Sequence, residues 1–141
     1  SLKIKKNVIE IDEFDKNKRI LFNYGHTFGH GIEALSNYSI PHGQAVTLGM
    51  DIANYISYKL GFLDKEAFHF MNKILLKNIP NFSITNNSIN EYMKYLSKDK
   101  KNIDNTIVCI LPERFGSLFV HQVKNKKYFE RLILEYFHGE K

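Results

Sequence analysis

Apolar residues recur at intervals of three and four early in the chain. Ile20, Leu21, Tyr24, Phe28, Ile32 and Leu35 fall on this spacing, which predicts an amphipathic helix over 16–36. Asp12 or Asp15 is placed to cap it. The preceding stretch, KIKKNVIEI over 3–11, reads equally as strand or helix. Three glycines, Gly25, Gly29 and Gly31, interrupt the helical pattern. Each disfavours helix by up to about 1 kcal/mol relative to alanine. Three of them together predict a close approach by another backbone or by a ligand.

Turn formers follow in SNYSIP, over 36–41. A second helix is predicted from His42 to Leu60, with Ala45, Leu48, Gly49, Ile52, Ala53 and Ile56 forming a small, apolar face. Gly61 is placed to end it. A third helix is expected from Asp64 to Lys77, stopping before Pro80. After polar turn material, a fourth runs from Ser88 to Ser97. The period then changes. Residues 106–111 and 117–123 are rich in β-branched and apolar residues and flank PERFG, the signature of a hairpin. A last helix covers Lys126 to Phe137. The expected fold is mainly α, one domain over 1–141, with a single small β-hairpin.

A chain of 141 residues with 43% hydrophobic content can bury a sizeable core. It has no apolar run of 18 residues, so no membrane span is expected. The one cysteine, Cys109, lies in the apolar run TIVCIL and reads as a buried, inert thiol. No disulfide framework is possible, which fits a cytoplasmic protein. Twenty basic against 15 acidic residues give a formal charge of +5. The lysines fall in short, scattered clusters, and no zinc-finger spacing or aromatic RNA-binding motif accompanies them, so neither nucleic acid nor membrane is an expected partner. A small phosphorylated anion remains a natural ligand for such a surface.

The chemistry concentrates in NYGHTFGHGIEALSNYSIPHGQAV, over 23–46. On a continuous helix Arg19, Asn23, His26 and His30 step by four, three and four and share one face. Apolar residues surround that polar line, so it reads as the wall of a pocket. A neutral imidazole ligates a divalent metal, an arginine grips carboxylate or phosphate, and an asparagine orients a hydroxyl or carbonyl. A tight loop after this helix could bring His42, behind Pro41, near His26 or His30. Two histidines make an incomplete metal site, and a carboxylate would be the expected addition. Glu33 and Asp51 are nearby in sequence, but Glu33 lies two turns from His26, too far along the axis to share its ion. His69, His121 and His138 have no such surroundings and read as surface or core-edge residues. The His-Glu-x-x-His order, the Gly-x-Gly-x-x-Gly fingerprint and the Walker lysine motif are all missing from the sequence.

Taken together, RILFNYGHTFGHGIEAL and PHGQAVTLGM resemble the C-terminal domain of the 3-dehydroquinate synthases and related sugar-phosphate cyclases. The shared pattern is Arg-x3-Asn-x-Gly-His-Thr-x-Gly-His-x-Ile-Glu, followed by His-Gly and a Gly-Met helix. KKNVIEIDEFDKNKR and YLSKDKKN with IVCILPERFG are similar to the family's upstream and late segments.

The resemblance implies a lyase of aromatic amino acid biosynthesis, in the shikimate pathway. It would convert 3-deoxy-D-arabino-heptulosonate 7-phosphate to 3-dehydroquinate and phosphate with NAD and Zn2+ or Co2+. His26 and His42 would be metal ligands. Lys5, Arg19, Asn23, His30 and Lys100, or Lys101 in place of Lys100, would contact the phosphorylated sugar acid. The third ligand, a glutamate, and the NAD site would lie in an N-terminal domain outside this chain, so the chain alone is expected to be inactive and its parent enzyme a homodimer. Where the family reads His-Gly-Glu, this chain has Gln44. A cyclase acting on another sugar phosphate, such as sedoheptulose 7-phosphate, an iron-type alcohol or glycerol dehydrogenase, and a non-catalytic helical module are the alternatives.

Overall fold

A computed structural model describes residues 24–97, 107–114 and 117–139. Helix α1 is His26–Leu35 and α2 is His42–Lys59. Helix α3, Lys65–Leu75, runs into a short 3-10 turn, Leu76–Asn78, and α4 is Ile89–Ser97. Strands β1, Val108–Arg114, and β2, Ser117–Gln122, form the antiparallel hairpin, and α5, Lys126–His138, closes the order. The mainly helical class, the hairpin and the boundaries of α2 agree with the pattern in the sequence.

Helix α2 is the axis of the fold, packing against α1, α3, α5 and β1. From Asp51 to Ser57 every residue is buried, as expected of a helix enclosed on all sides. Phe28, Ile32, Leu48, Ile52, Tyr55, Ile56, Phe68, Leu132 and Ile133 are among the side chains of this single core. Local chemistry sets the ends of the elements. Gly61, at φ +92°, closes α2, with Phe62 N–H donating to the Ser57 carbonyl and Gly61 N–H to that of Tyr58, the paired bonds of a Schellman motif. Asp64 caps α3 by accepting from Ala67 N–H at 2.7 Å, and Asn125 caps α5 by accepting from Tyr128 N–H at 3.0 Å. In the hairpin Cys109 pairs with His121 and Leu111 with Phe119; the register is irregular between Pro112 and Arg114, next to a proline that has no N–H to give. Burial pushes the Cys109 thiol up to about 12, in keeping with an inert cysteine.

Three polar residues of α2, Asp51, Asn54 and Ser57, are buried. Asp51 accepts from Asn72 Nδ2 of α3 at 3.0 and 2.9 Å and from the Tyr136 hydroxyl of α5. Asn54 accepts from the Tyr24 hydroxyl, and the Ser57 hydroxyl donates to the Pro112 carbonyl of β1. One stripe of polar groups thus ties the central helix to three other elements and to the turn before α1.

The helix expected over 16–36 does not run through residues 24 and 25. Tyr24 and Gly25 form a turn and α1 begins at His26, because Gly25 adopts the left-handed φ of +83°. The close approach expected of the glycines is to another backbone at Gly25 and Gly29, and to the Tyr92 ring at Gly31. A Cβ on Gly49 of α2 would lie 2.2 Å from the Gly25 carbonyl oxygen and 2.8 Å from the Gly29 nitrogen. Only hydrogen fits between the two main chains there.

Gly49→Ala is therefore expected to destabilise the protein by about 1–3 kcal/mol or more, the usual range for overpacking, since the obstructing atoms are backbone. Gly43→Ala, with nothing within 4 Å of the added carbon, is expected to be neutral or to raise stability by up to about 1 kcal/mol. Urea denaturation midpoints of the two variants test the contrast; equal midpoints would rule out the tight crossing.

Candidate active site

The Gly25–Gly49 crossing sets the geometry of the histidines. His26 is the first residue of α1 and His30 lies one turn on. After α1 the chain reverses through Asn37 and Tyr38, both left-handed at φ 59° and 62°. Pro41 then leads into α2, whose first residue is His42. The three imidazoles converge at one end of the crossing. Ring centroids are 5.6 Å apart for His26 and His30, 5.5 Å for His26 and His42, and 6.2 Å for His30 and His42. His26 is half-buried, while His30 and His42 are exposed.

Burial, and then the neighbouring His30, lower the His26 pKa from its usual 6.5; a hydrogen bond to the Tyr24 backbone partly opposes the shift. The imidazole is therefore held neutral near pH 7, the form that ligates metals. Two imidazoles that each direct a nitrogen at one ion from about 2.1 Å have centroids about 5 Å apart. The 5.5 Å between His26 and His42 fits that requirement, and an imidazole set suits a borderline divalent metal such as zinc or cobalt. The set is incomplete: among the described residues no group of three histidine, cysteine or acidic side chains is arranged to hold an ion.

Of the residues singled out in the sequence, the fold brings His26, His30 and His42 together. Lys5, Arg19, Asn23, Lys100 and Lys101 lie outside the described residues. The turn at Tyr24–Gly25 does correct one inference: the helix carrying His26 and His30 begins at His26 and does not continue back through residues 24 and 25. Asp51 is turned into the core and is no part of the cluster. Glu33 does have a histidine partner, which is His42. Its Oε2 lies 3.1 Å from His42 Nδ1, because the reversal after α1 brings His42 back beside the last turn of that helix. Asn54 and Tyr24, which anchor the turn ahead of His26, have one signal in the sequence: Asp51, Asn54 and Ser57 interrupt an apolar helix at steps of three.

In the metal-free protein the His26 ring is expected to titrate below pH 6.5, as followed by its NMR shifts. The sign for stability follows. Above 6.5 the folded and unfolded forms are both neutral at this site and it contributes nothing to pH dependence. As pH falls through 6.5 towards the folded midpoint, the unfolded chain takes up the proton first and stability declines. A midpoint at or above 6.5 would contradict the buried setting of the ring.

Residues 1–102 match the family described as 3-dehydroquinate synthase C-terminal. The chain is 38% identical over 129 residues to the 3-dehydroquinate synthase of Dictyoglomus turgidum, covering 89% of this chain and 36% of that relative. It is 40% identical over 120 residues to that of Helicobacter hepaticus, covering 84% and 34%. The chain thus spans about a third of the length of these curated relatives. Among solved structures, a 2-deoxy-scyllo-inosose synthase complexed with carbaglucose-6-phosphate, NAD+ and Co2+ superposes with a TM-score of 0.69 at 25% identity, over 88% of this chain and 36% of that one. No helix among the described residues is long and apolar enough to cross a membrane. Sequence, fold and the histidine-bearing crossing agree, and the chain belongs to the 3-dehydroquinate synthase C-terminal family.

Proposed function

We propose that this chain is the metal- and substrate-binding part of a 3-dehydroquinate synthase, converting 3-deoxy-D-arabino-heptulosonate 7-phosphate to 3-dehydroquinate and phosphate. The observation that carries the reading is the convergence of His26 and His42, from two different helices, to a centroid separation of 5.5 Å within a chain of this family. The identity of 38–40% to relatives named for this reaction, against 25% to the inosose synthase, favours this substrate over that of a sister cyclase.

His26 and His42 would hold a Zn2+ or Co2+ ion, with a further ligand from outside the described residues. When bound, the ion would polarise substrate oxygens and NAD would supply reversible redox chemistry. The protein's own groups do the rest. His30, exposed and one turn from His26, is placed to exchange a proton or hydrogen bond with a substrate hydroxyl. Arg19, Lys5 and Lys100 would offset the phosphate and carboxylate charges, and Asn23 would orient a hydroxyl; these roles rest on the resemblance of their sequence motifs. The neutral state of His26 favours metal binding, because no proton has to be displaced first.

Phosphate release by the protein in its full native length, supplied with NAD and Co2+, tests this. Turnover of the deoxyheptulosonate phosphate is expected. His26→Ala and His42→Ala should each lower it by more than the roughly 100-fold upper range seen for groups one step removed from a metal. Release from sedoheptulose 7-phosphate alone would reassign the substrate and keep the metal site. Undiminished turnover in both variants would remove the metal assignment.

A further inference from the structure

We propose that Glu33 is a positioning residue for His42: its carboxylate fixes which imidazole nitrogen carries the proton and so which one is offered to the metal. This rests on the reading of His42 as a metal ligand. Glu33 Oε2 is 3.1 Å from His42 Nδ1. An ionised carboxylate can only accept, so Nδ1 is the protonated nitrogen. In a neutral ring the lone pair is then on Nε2, across the imidazole from Glu33. A carboxylate behind a ligating histidine in this way holds the ring orientation and makes the other nitrogen a better donor.

The rest of the loop keeps Glu33 in that place. Its backbone carbonyl accepts from the Tyr38 N–H at 2.7 Å and from the Ser36 hydroxyl at 3.1 Å. The two left-handed residues, Asn37 and Tyr38, fold the chain back sharply, and Pro41 restricts the approach to His42. The same residue therefore accepts the bonds that close the reversal and meets the imidazole that the reversal delivers. Burial is unequal across the pair: the Glu33 side chain is 14% exposed and that of His42 57%. The carboxylate is held on the inner side while much of the imidazole remains accessible. An ordinary surface ion pair has both partners solvated and contributes little.

The test uses the full native-length protein, stripped of metal and titrated with Co2+, followed by visible absorption. Glu33→Ala is expected to weaken Co2+ binding by about 10- to 100-fold. Glu33→Gln, which keeps the volume and an acceptor oxygen but loses the charge, should recover only part of that loss, whereas a purely space-filling role would be restored in full. His42→Ala should weaken binding at least as much as Glu33→Ala. Affinity in Glu33→Ala within twofold of the unaltered protein, with His42→Ala impaired, would overturn the role of Glu33 and leave the metal site standing. Unchanged affinity in His42→Ala would overturn the ligand assignment and this proposal with it. Nitrogen-15 NMR of the unaltered, metal-free protein gives a readout independent of any variant's folding. The Nδ1-protonated tautomer of neutral His42 is expected, and the Nε2-protonated form would overturn the proposal.

Discussion

The structure depends on two backbones touching. At the crossing of α1 and α2 the Gly25 carbonyl and the Gly29 nitrogen face Gly49 with no room for a methyl group. Side-chain packing normally separates helix axes by 8–10 Å; contact through glycine removes the intervening layer. His26 and His42, first residues of their helices, come within one ion's reach because of it. The helix propensity given up at the glycines is offset by an inter-helix distance that no rotamer change can alter. The left-handed turn at Gly25 serves the same geometry, since it lets α1 start where His26 is needed.

Much of this was legible in the sequence because it follows from periodicity. The apolar face from Ala45 to Ile56, the stop at Gly61 and the β-branched runs flanking PERFG each report a local preference, and the corresponding elements formed. The glycines signalled a close approach without naming its partner. What the sequence could not show was the effect of a positive φ at Gly25. Helical spacing counted through that residue places Asn23 and His26 on one face, whereas the chain turns there. The pairing of Glu33 with His42 was hidden for a related reason: helical spacing gives distances along one axis, and this partner arrives through a reversal made by Asn37 and Tyr38. Asn37 is of a type that enters the left-handed region readily, but Tyr38 is not, so two consecutive left-handed conformations were not announced by identity.

The site is a partial one by construction of its chemistry. Its three imidazoles converge, but the described residues supply no complete ligand set. The matched stretch is about a third of each relative's length. On the proposed reading, in which one part presents histidines and another completes the coordination, metal binding would depend on bringing the two parts together, and the cleft would exclude water from the reacting groups only when its walls meet.

The polar stripe on α2 has a consequence for how that helix is seated. An apolar surface alone tolerates rotation about the helix axis, because one aliphatic contact substitutes for another. Asp51 does not permit this. Its two oxygens receive bonds from α3 and α5, and a turn of one residue, about 100°, would leave a carboxylate unmatched in an apolar interior at a cost of several kcal/mol. Asn54 and Ser57 impose the same condition towards Tyr24 and Pro112. The helix thus has an angular address as well as a position, and His42 at its tip inherits a bearing set by groups three turns away.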